Sequence, residues 1–448
     1  MKTKVRKNRP FMLYLISRMM NRFGDSIDVF LLSWLVYGLS GSASLSALAV
    51  GINYVPTILL QPFVGAYVEN IPKRRVLALT DMGRALLVAV FLILHLTDSL
   101  SAAVLIAGTF LISTLEAFSS PAASAAIAGL LKKEEYNSGI SMNMGCSRVM
   151  ELVGTGAAGL LIALVGSSGA LLADMTCFAV SALLMSRVRI AGDVRVRNAE
   201  GTETTAQRGA TYLHSLRDGM RFILTSKSMI LTTAVAAFLN IAVTPFNALQ
   251  TALVQETYGR GSRTLSAMGI CVTAGMILSA ALYSAVTGGR HAKWAEKLSI
   301  DRLLVLCGIM TGSYYLVLAM LGRVVLADAA FYAVLFAASV IFGLVVGLSN
   351  TAVSVFLMRM VPSSYMARAT AVLNAGCTAT VPLTSFVISG ICTRADVVSV
   401  FFGMAALVIL AAVAMAFTGA LKLLRDPDAR KEKAPAQDGL AEGSRGAV

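Results

Sequence analysis

The stretch that orders the chain is Gly65-Ala-Tyr-Val-Glu-Asn-Ile-Pro-Lys-Arg-Arg75, a short charged turn between two long apolar segments. A glycine at its start allows two helices to approach closely. Lys73, Arg74 and Arg75 at its end hold the turn on the cytoplasmic side, because basic residues in short loops stay inside. Fixing one such turn fixes the orientation of every later span, since successive spans alternate in direction.

Of 448 residues, 56% are hydrophobic and only 14% charged, a share of apolar residues that a larger soluble core does not explain. The composition is that of a polytopic membrane protein. The formal net charge of +14 raises nucleic acid as a partner, yet 30 of the 38 Lys and Arg fall in segments assigned to one side of the membrane. The outer loops hold only Arg260, Arg263, Arg323 and Arg394. Such segregation is a topology signal with both termini inside and argues against nucleic-acid binding. Six cysteines (146, 177, 271, 307, 377 and 392) lie in apolar segments without a Cys-x-x-Cys pair and read as small core residues. Arg18 and Arg22 interrupt the first apolar run, so a cleaved signal peptide is not expected.

With about 20 apolar residues per span, the expectation is an all-α membrane protein of twelve transmembrane helices. Their approximate ranges are 10–38, 44–70, 74–97, 100–131, 136–166, 169–190, 229–257, 263–288, 300–322, 328–359, 364–392 and 396–424. The polar, basic segment 191–228 divides them into an N-terminal six-helix half (1–190) and a C-terminal half (229–424). Two such halves joined by a cytoplasmic linker suit a transporter with a central mid-membrane cavity. Within the linker, Leu213, Leu216, Met220 and Ile223 recur at helical spacing and predict an amphipathic interfacial helix. Residues 425–448 have the composition of a disordered tail.

An ionisable group in the bilayer costs about 2.5–3.5 kcal/mol, so each needs a partner, a wet cavity or a function. Arg18, Arg22, Asp25 and Asp28 lie on an arc of about 120° of the first span. Asp25 is a candidate proton carrier, with Asp28 and Arg22 beside it; the alternative is a permanent Arg22–Asp25 pair that only fixes packing. Glu116, within Ser113-Thr-Leu-Glu-Ala-Phe118, has no basic neighbour within a turn of its own helix and is the best single candidate for reversible protonation. The alternative is a permanently neutral side chain bonded to a carbonyl. Arg148 and Glu151, three apart, can pair locally; they are candidate substrate-cavity residues, with a structural pair as the alternative. Asp174 reads as a snorkelling or hydrated residue near the outer end of its span. In the second half, amides replace charges: Asn240, Asn247, Asn350 and Asn374 are candidate cavity residues, with interhelical hydrogen bonding as their other use. No metal cluster, phosphate loop or spaced catalytic pair stands out, so neither an enzyme nor an ATP-driven pump is expected, and no cofactor.

The turn resembles the loop between helices 2 and 3 of major facilitator superfamily transporters, with Gly65, Glu69, Lys73 and Arg74 at the matching positions. Glu69 stands for the usual aspartate, and Asn70 and Pro72 depart from the pattern. Further blocks resemble the branch containing macrolide-efflux proteins and the enterobactin exporter. They are Arg18, Gly24, Asp25 and Trp34-Leu-Val-Tyr37; Pro56 and Pro62; Asp81-Met-Gly-Arg84-Ala85; and Phe118, Pro121 and Ala122. Gly154-Thr-Gly-Ala-Ala-Gly159 is similar to the antiporter motif, with Thr155 in place of its proline, and Arg217-Asp-Gly-Met-Arg-Phe-Ile223 to the segment before helix 7. The resemblance covers most of residues 10–260. It implies conformational roles for Gly65, Glu69, Lys73, Arg74, Asp81, Arg84, Gly154 and Gly159. It also implies proton-coupled export of a lipophilic or amphipathic small molecule by a monomer in the cell membrane, its partners being substrate, protons and lipid. An importer or lysophospholipid flippase of the same fold, and a non-transporting receptor or scaffold, stand as alternatives.

Overall fold

In the computed structural model of the chain, the described residues are 8–68, 71–132, 135–190, 227–287, 300–360 and 366–417. The first helix, α1 (Arg9–Ser40), starts where Asn8 accepts a hydrogen bond from the Phe11 amide at 3.1 Å, with Pro10 in the first turn where a missing N–H costs nothing. Then follow α2 (Ala43–Val68), α3 (Lys73–Leu96), α4 (Ala102–Leu130) and α5 (Tyr136–Arg187). In the second part come α6 (Lys227–Ala252), which continues as a π-helical turn over Leu253–Thr257, then α7 (Ser262–Thr287) and α8 (Ile300–Leu321). The last three are α9 (Asp328–Met360), α10 (Met366–Cys392) and α11 (Val397–Phe417). No strand occurs among the described residues.

The boundary expected between spans near 166–169 falls on Gly166, whose φ of 72° and ψ of 178° bend α5 into two limbs. Only glycine adopts that backbone readily. Nine of these helical segments are long and apolar enough to cross a membrane. Outside that set, α1 carries Arg18, Arg22, Asp25 and Asp28, and α10 has a shorter apolar stretch, Gly376–Cys392.

Polarity is inverted relative to a soluble bundle, as α3 shows most directly. Leu79, Met82, Leu86, Val90 and Ile93 recur at helical spacing on its exposed face, while Asp81 and Arg84 are buried on the opposite face beside Leu77, Ala85, Val88 and Phe91. An apolar exterior around a polar interior is the arrangement that lipid imposes.

The two parts of the chain meet at one end of the bundle. Ser33 and Thr251 hydroxyls lie 3.0 Å apart, Tyr37 donates to Glu256 at 3.0 Å, and Ser44 and Ser389 hydroxyls are 3.0 Å apart. All three links lie toward the end opposite the chain's start. There one apolar core runs through both parts, from Ile27, Leu31 and Val36 to Phe246, Leu249 and Phe401. At the starting end the apolar clusters stay separate: Phe11, Tyr14, Val68 and Leu130 in the first part, Val235, Leu303 and Leu304 in the second. The bundle is therefore sealed at its far end, with its parts unjoined by those clusters at the end where the chain begins. The linker stretch 213–223, expected as a helix, Glu69 and the tail 425–448 lie outside the described residues.

Candidate functional site

Helix α1 packs most extensively on α5 and brings its charged stripe against α3 and α4. Two kinds of buried charge result. Arg18 Nη2 meets Asp81 Oδ2 at 2.5 Å, and Asp81 also accepts from Asn21 Nδ2 at 3.0 Å and from the Ser181 hydroxyl at 2.6 Å. Arg18 Nη1 in turn donates to Ser119 at 3.3 Å. This network ties α1, α3, α4 and α5 together, and three donors leave Asp81 well satisfied as an anion. Its signal in the sequence is the cost of placing Asp81 inside an apolar span.

The second kind is a ladder of alternating charge. Arg148 Nη1 contacts Glu151 Oε2 at 2.9 Å, Arg22 bridges Glu151 at 3.7 Å and Asp25 at 3.6 Å, and Arg84 holds the other oxygen of Asp25. The outer members Arg148, Glu151 and Arg22 are 74%, 37% and 41% exposed and the inner ones, Asp25 and Arg84, 14% and 3%. The sequence pairs Asp25 with Arg22 on the same helix; its tighter partner is Arg84 from α3, which the tertiary fold supplies. Arg84 also lies over the Phe178 ring, 4.2 Å from its centroid.

Beyond the ladder stand three acids outside every described ion pair. Glu116 on α4 is half-buried and within electrostatic range of Arg84, Arg22 and Asp25. Asp28 and Asp174 are 3% and 0% exposed. Asp174 therefore does not snorkel outward: the second limb of α5 turns it inward against Gly24 of α1.

In the second part, Asn240 and Asn350 meet in one cavity of about 90 Å³, lined also by Leu239, Val243, Thr311, Val346 and Ser349. Asn240 donates to the Ala236 carbonyl at 3.0 Å. Asn247 is exposed and lies outside that lining, and the side chain of Asn374 lies outside the described residues. Lys73 opens α3 and donates to the Ile71 carbonyl at 3.1 Å, next to Arg74. Gly65 sits in the last turns of α2, its surroundings outside the described residues. Gly154 and Gly159 serve different seams. A Cβ on Gly154 would stand 2.7 Å from Ser26 Cβ and 2.9 Å from the Phe23 carbonyl on α1, whereas one on Gly159 would stand 2.7 Å from the Ser262 carbonyl on α7.

A family model described as Major Facilitator Superfamily matches residues 14–294. The uncharacterized MFS-type transporter YkuC of Bacillus subtilis is 24% identical over 280 residues, 61% of this chain and 64% of that protein. The multidrug efflux pump Tap of Mycolicibacterium fortuitum is 26% identical over 226 residues, 48% of this chain and 53% of that protein. The matched stretch thus spans less than two thirds of either relative. Among solved structures, a bacterial homologue of the iron transporter ferroportin in an inward-facing state is similar at a TM-score of 0.67 and 15% identity, over 93% of this chain and 99% of that one. The nucleoside transporter NupG is similar at 0.67 and 12%, over 91% and 98%. Identities this low carry the fold alone.

Proposed function

Because the chain belongs to the Major Facilitator Superfamily, a family of membrane transporters and not of enzymes, we propose that it exports lipophilic or amphipathic small molecules in exchange for protons by alternating access. The observation that carries the reading is the charge ladder, which falls in exposure from Arg148 to Arg84 and ends among acids that no described ion pair neutralises. A path of this kind lets a proton reach a buried carboxyl without crossing hydrocarbon. Asp25 and Glu116 are its relay groups: Asp25 is held by Arg84 and Arg22, and its protonation releases Arg84 and leaves Arg22 with Glu151 alone. Rocking of the two parts about the far-end seam would then expose the same groups to the other side. The likeness to an efflux pump supports the outward direction, and segregation of basic residues supports a membrane protein with both termini, and the end where the chain begins, facing the cytoplasm.

The test is transport of ethidium, a lipophilic cation, in vesicles of defined sidedness carrying a pH gradient. The expected result is ethidium movement opposite to the proton gradient, abolished by a protonophore. Movement unchanged when the gradient is collapsed, at fixed membrane potential, would remove proton coupling.

A further inference from the structure

The ladder leaves one buried arrangement unused. Asp28 on α1 and Asp174 on the second limb of α5 face each other in the wall between these helices, their carboxyl groups within hydrogen-bonding reach. Gly24 makes the approach feasible, since a Cβ there would stand 3.2 Å from Asp174 Oδ1. Asp28 lies one turn further along the same face of α1.

Ionised carboxyl groups offer acceptors only. Asp28 Oδ1 and both Asp174 oxygens have no donor among the described residues, in contrast with Asp81 and its three. The charged and titratable groups facing the pair are Arg84 from α3, Glu116 from α4, Asp25 from α1 and Cys177 from α5. Arg84 is already engaged by Asp25. Two adjoining carboxylates in so dry a place repel strongly, and a single proton turns that repulsion into a hydrogen bond.

We propose that Asp28 and Asp174 share one proton as a carboxyl–carboxylate pair. Binding takes one H⁺ from solvent and changes the charge of the pair from −2 to −1; release reverses this, and no other bond is made or broken. On the proton-coupled reading above, on which this last step rests, the pair stores the proton that Asp25 and Glu116 relay.

The test uses the purified full-length protein and infrared difference spectra between acidic and alkaline pH. Among the carbonyl stretches of the chain's 24 Asp and Glu side chains, wild type shows one, shifted in heavy water, that persists above the pH at which the exposed carboxyl groups have ionised. Asp28→Asn and Asp174→Asn each remove that band, while Glu116→Gln leaves it. Asparagine keeps the shape and supplies an N–H donor to the remaining carboxylate, so insertion is retained; should one variant not insert, the other decides, because either breaks the pair. The proposal is overturned if the band survives an Asn substitution, disappears in Glu116→Gln, is missing from wild type wherever the protein stays folded, or is displaced by sodium at fixed pH. Ethidium transport reports separately on coupling. A band that behaves as expected with gradient-indifferent transport upholds the shared proton and removes the coupling reading. Gradient-driven transport with a band that survives both substitutions does the reverse.

Discussion

Three donors converge on Asp81 and none of the described ones on Asp174, and that difference sorts the buried acids by role. Asp81 with Arg18 is a fastening, because a buried charge that loses its partner is left uncompensated at a cost of about 3–5 kcal/mol. Asp81→Ala is therefore expected to lower the thermal midpoint of the detergent-purified protein sharply. A double-mutant cycle with Arg18→Ala should show strong coupling, the pair together costing less than the two single losses combined; additive losses would deny that they act as one unit. Asp25, held by Arg84 and Arg22, and Glu116, outside every described ion pair, are the proposed relay groups. Asp25→Asn and Glu116→Gln are expected to bind ethidium as wild type does, by equilibrium binding, and to lose accumulation driven by a pH gradient. Groups in one relay do not add, so the double variant should be little worse than the poorer single one. Normal gradient-driven accumulation in both would exclude these acids as carriers.

At the scale of the element, the glycines of α5 decide what can pack where. Gly154 seats α5 on α1 within the first part of the chain, and Gly159 seats it on α7 of the second. A large side chain at the first position separates helices that stay together throughout; at the second it wedges a seam that must open and close. Gly159→Leu is thus expected to insert and fold but to transport poorly, with cysteines placed at the far end of α7 becoming more reactive to an impermeant thiol reagent. Gly154→Leu should instead lower yield and thermal stability. Unchanged far-end reactivity in a well-folded Gly159→Leu protein would show that this seam does not gate.

For the whole molecule, the hydroxyls of Ser44 and Ser389 mark the closed far end. Cysteines at both positions, in a protein whose six native cysteines are replaced, should form a disulfide under mild oxidation, stop transport, and release it again on reduction. Transport that continues across the intact crosslink would contradict rocking about this seam. Topology is tested in the linker, outside the described residues: a cysteine at Thr204 should resist an impermeant reagent in intact cells and react after permeabilisation. Labelling in intact cells would reverse the proposed orientation.

Much of the fold was legible because lipid leaves the chain few choices. Apolar runs of span length must be helices, and even the bend at Gly166 falls where the sequence breaks between two spans. The stripe of Arg18, Arg22, Asp25 and Asp28 was also visible, since the period of one helix places its residues on one face. What a single helix cannot state is the partner across the gap. Arg84 for Asp25, Ser181 for Asp81, and Asp174 facing Asp28 come from α3 and α5. Their sequence separations of 59, 100 and 146 residues leave no local pattern. Helical periodicity fixed which side chains look inward. Only the packing of helices from distant parts of the chain decided which buried acid meets a cation and which stands outside every described ion pair.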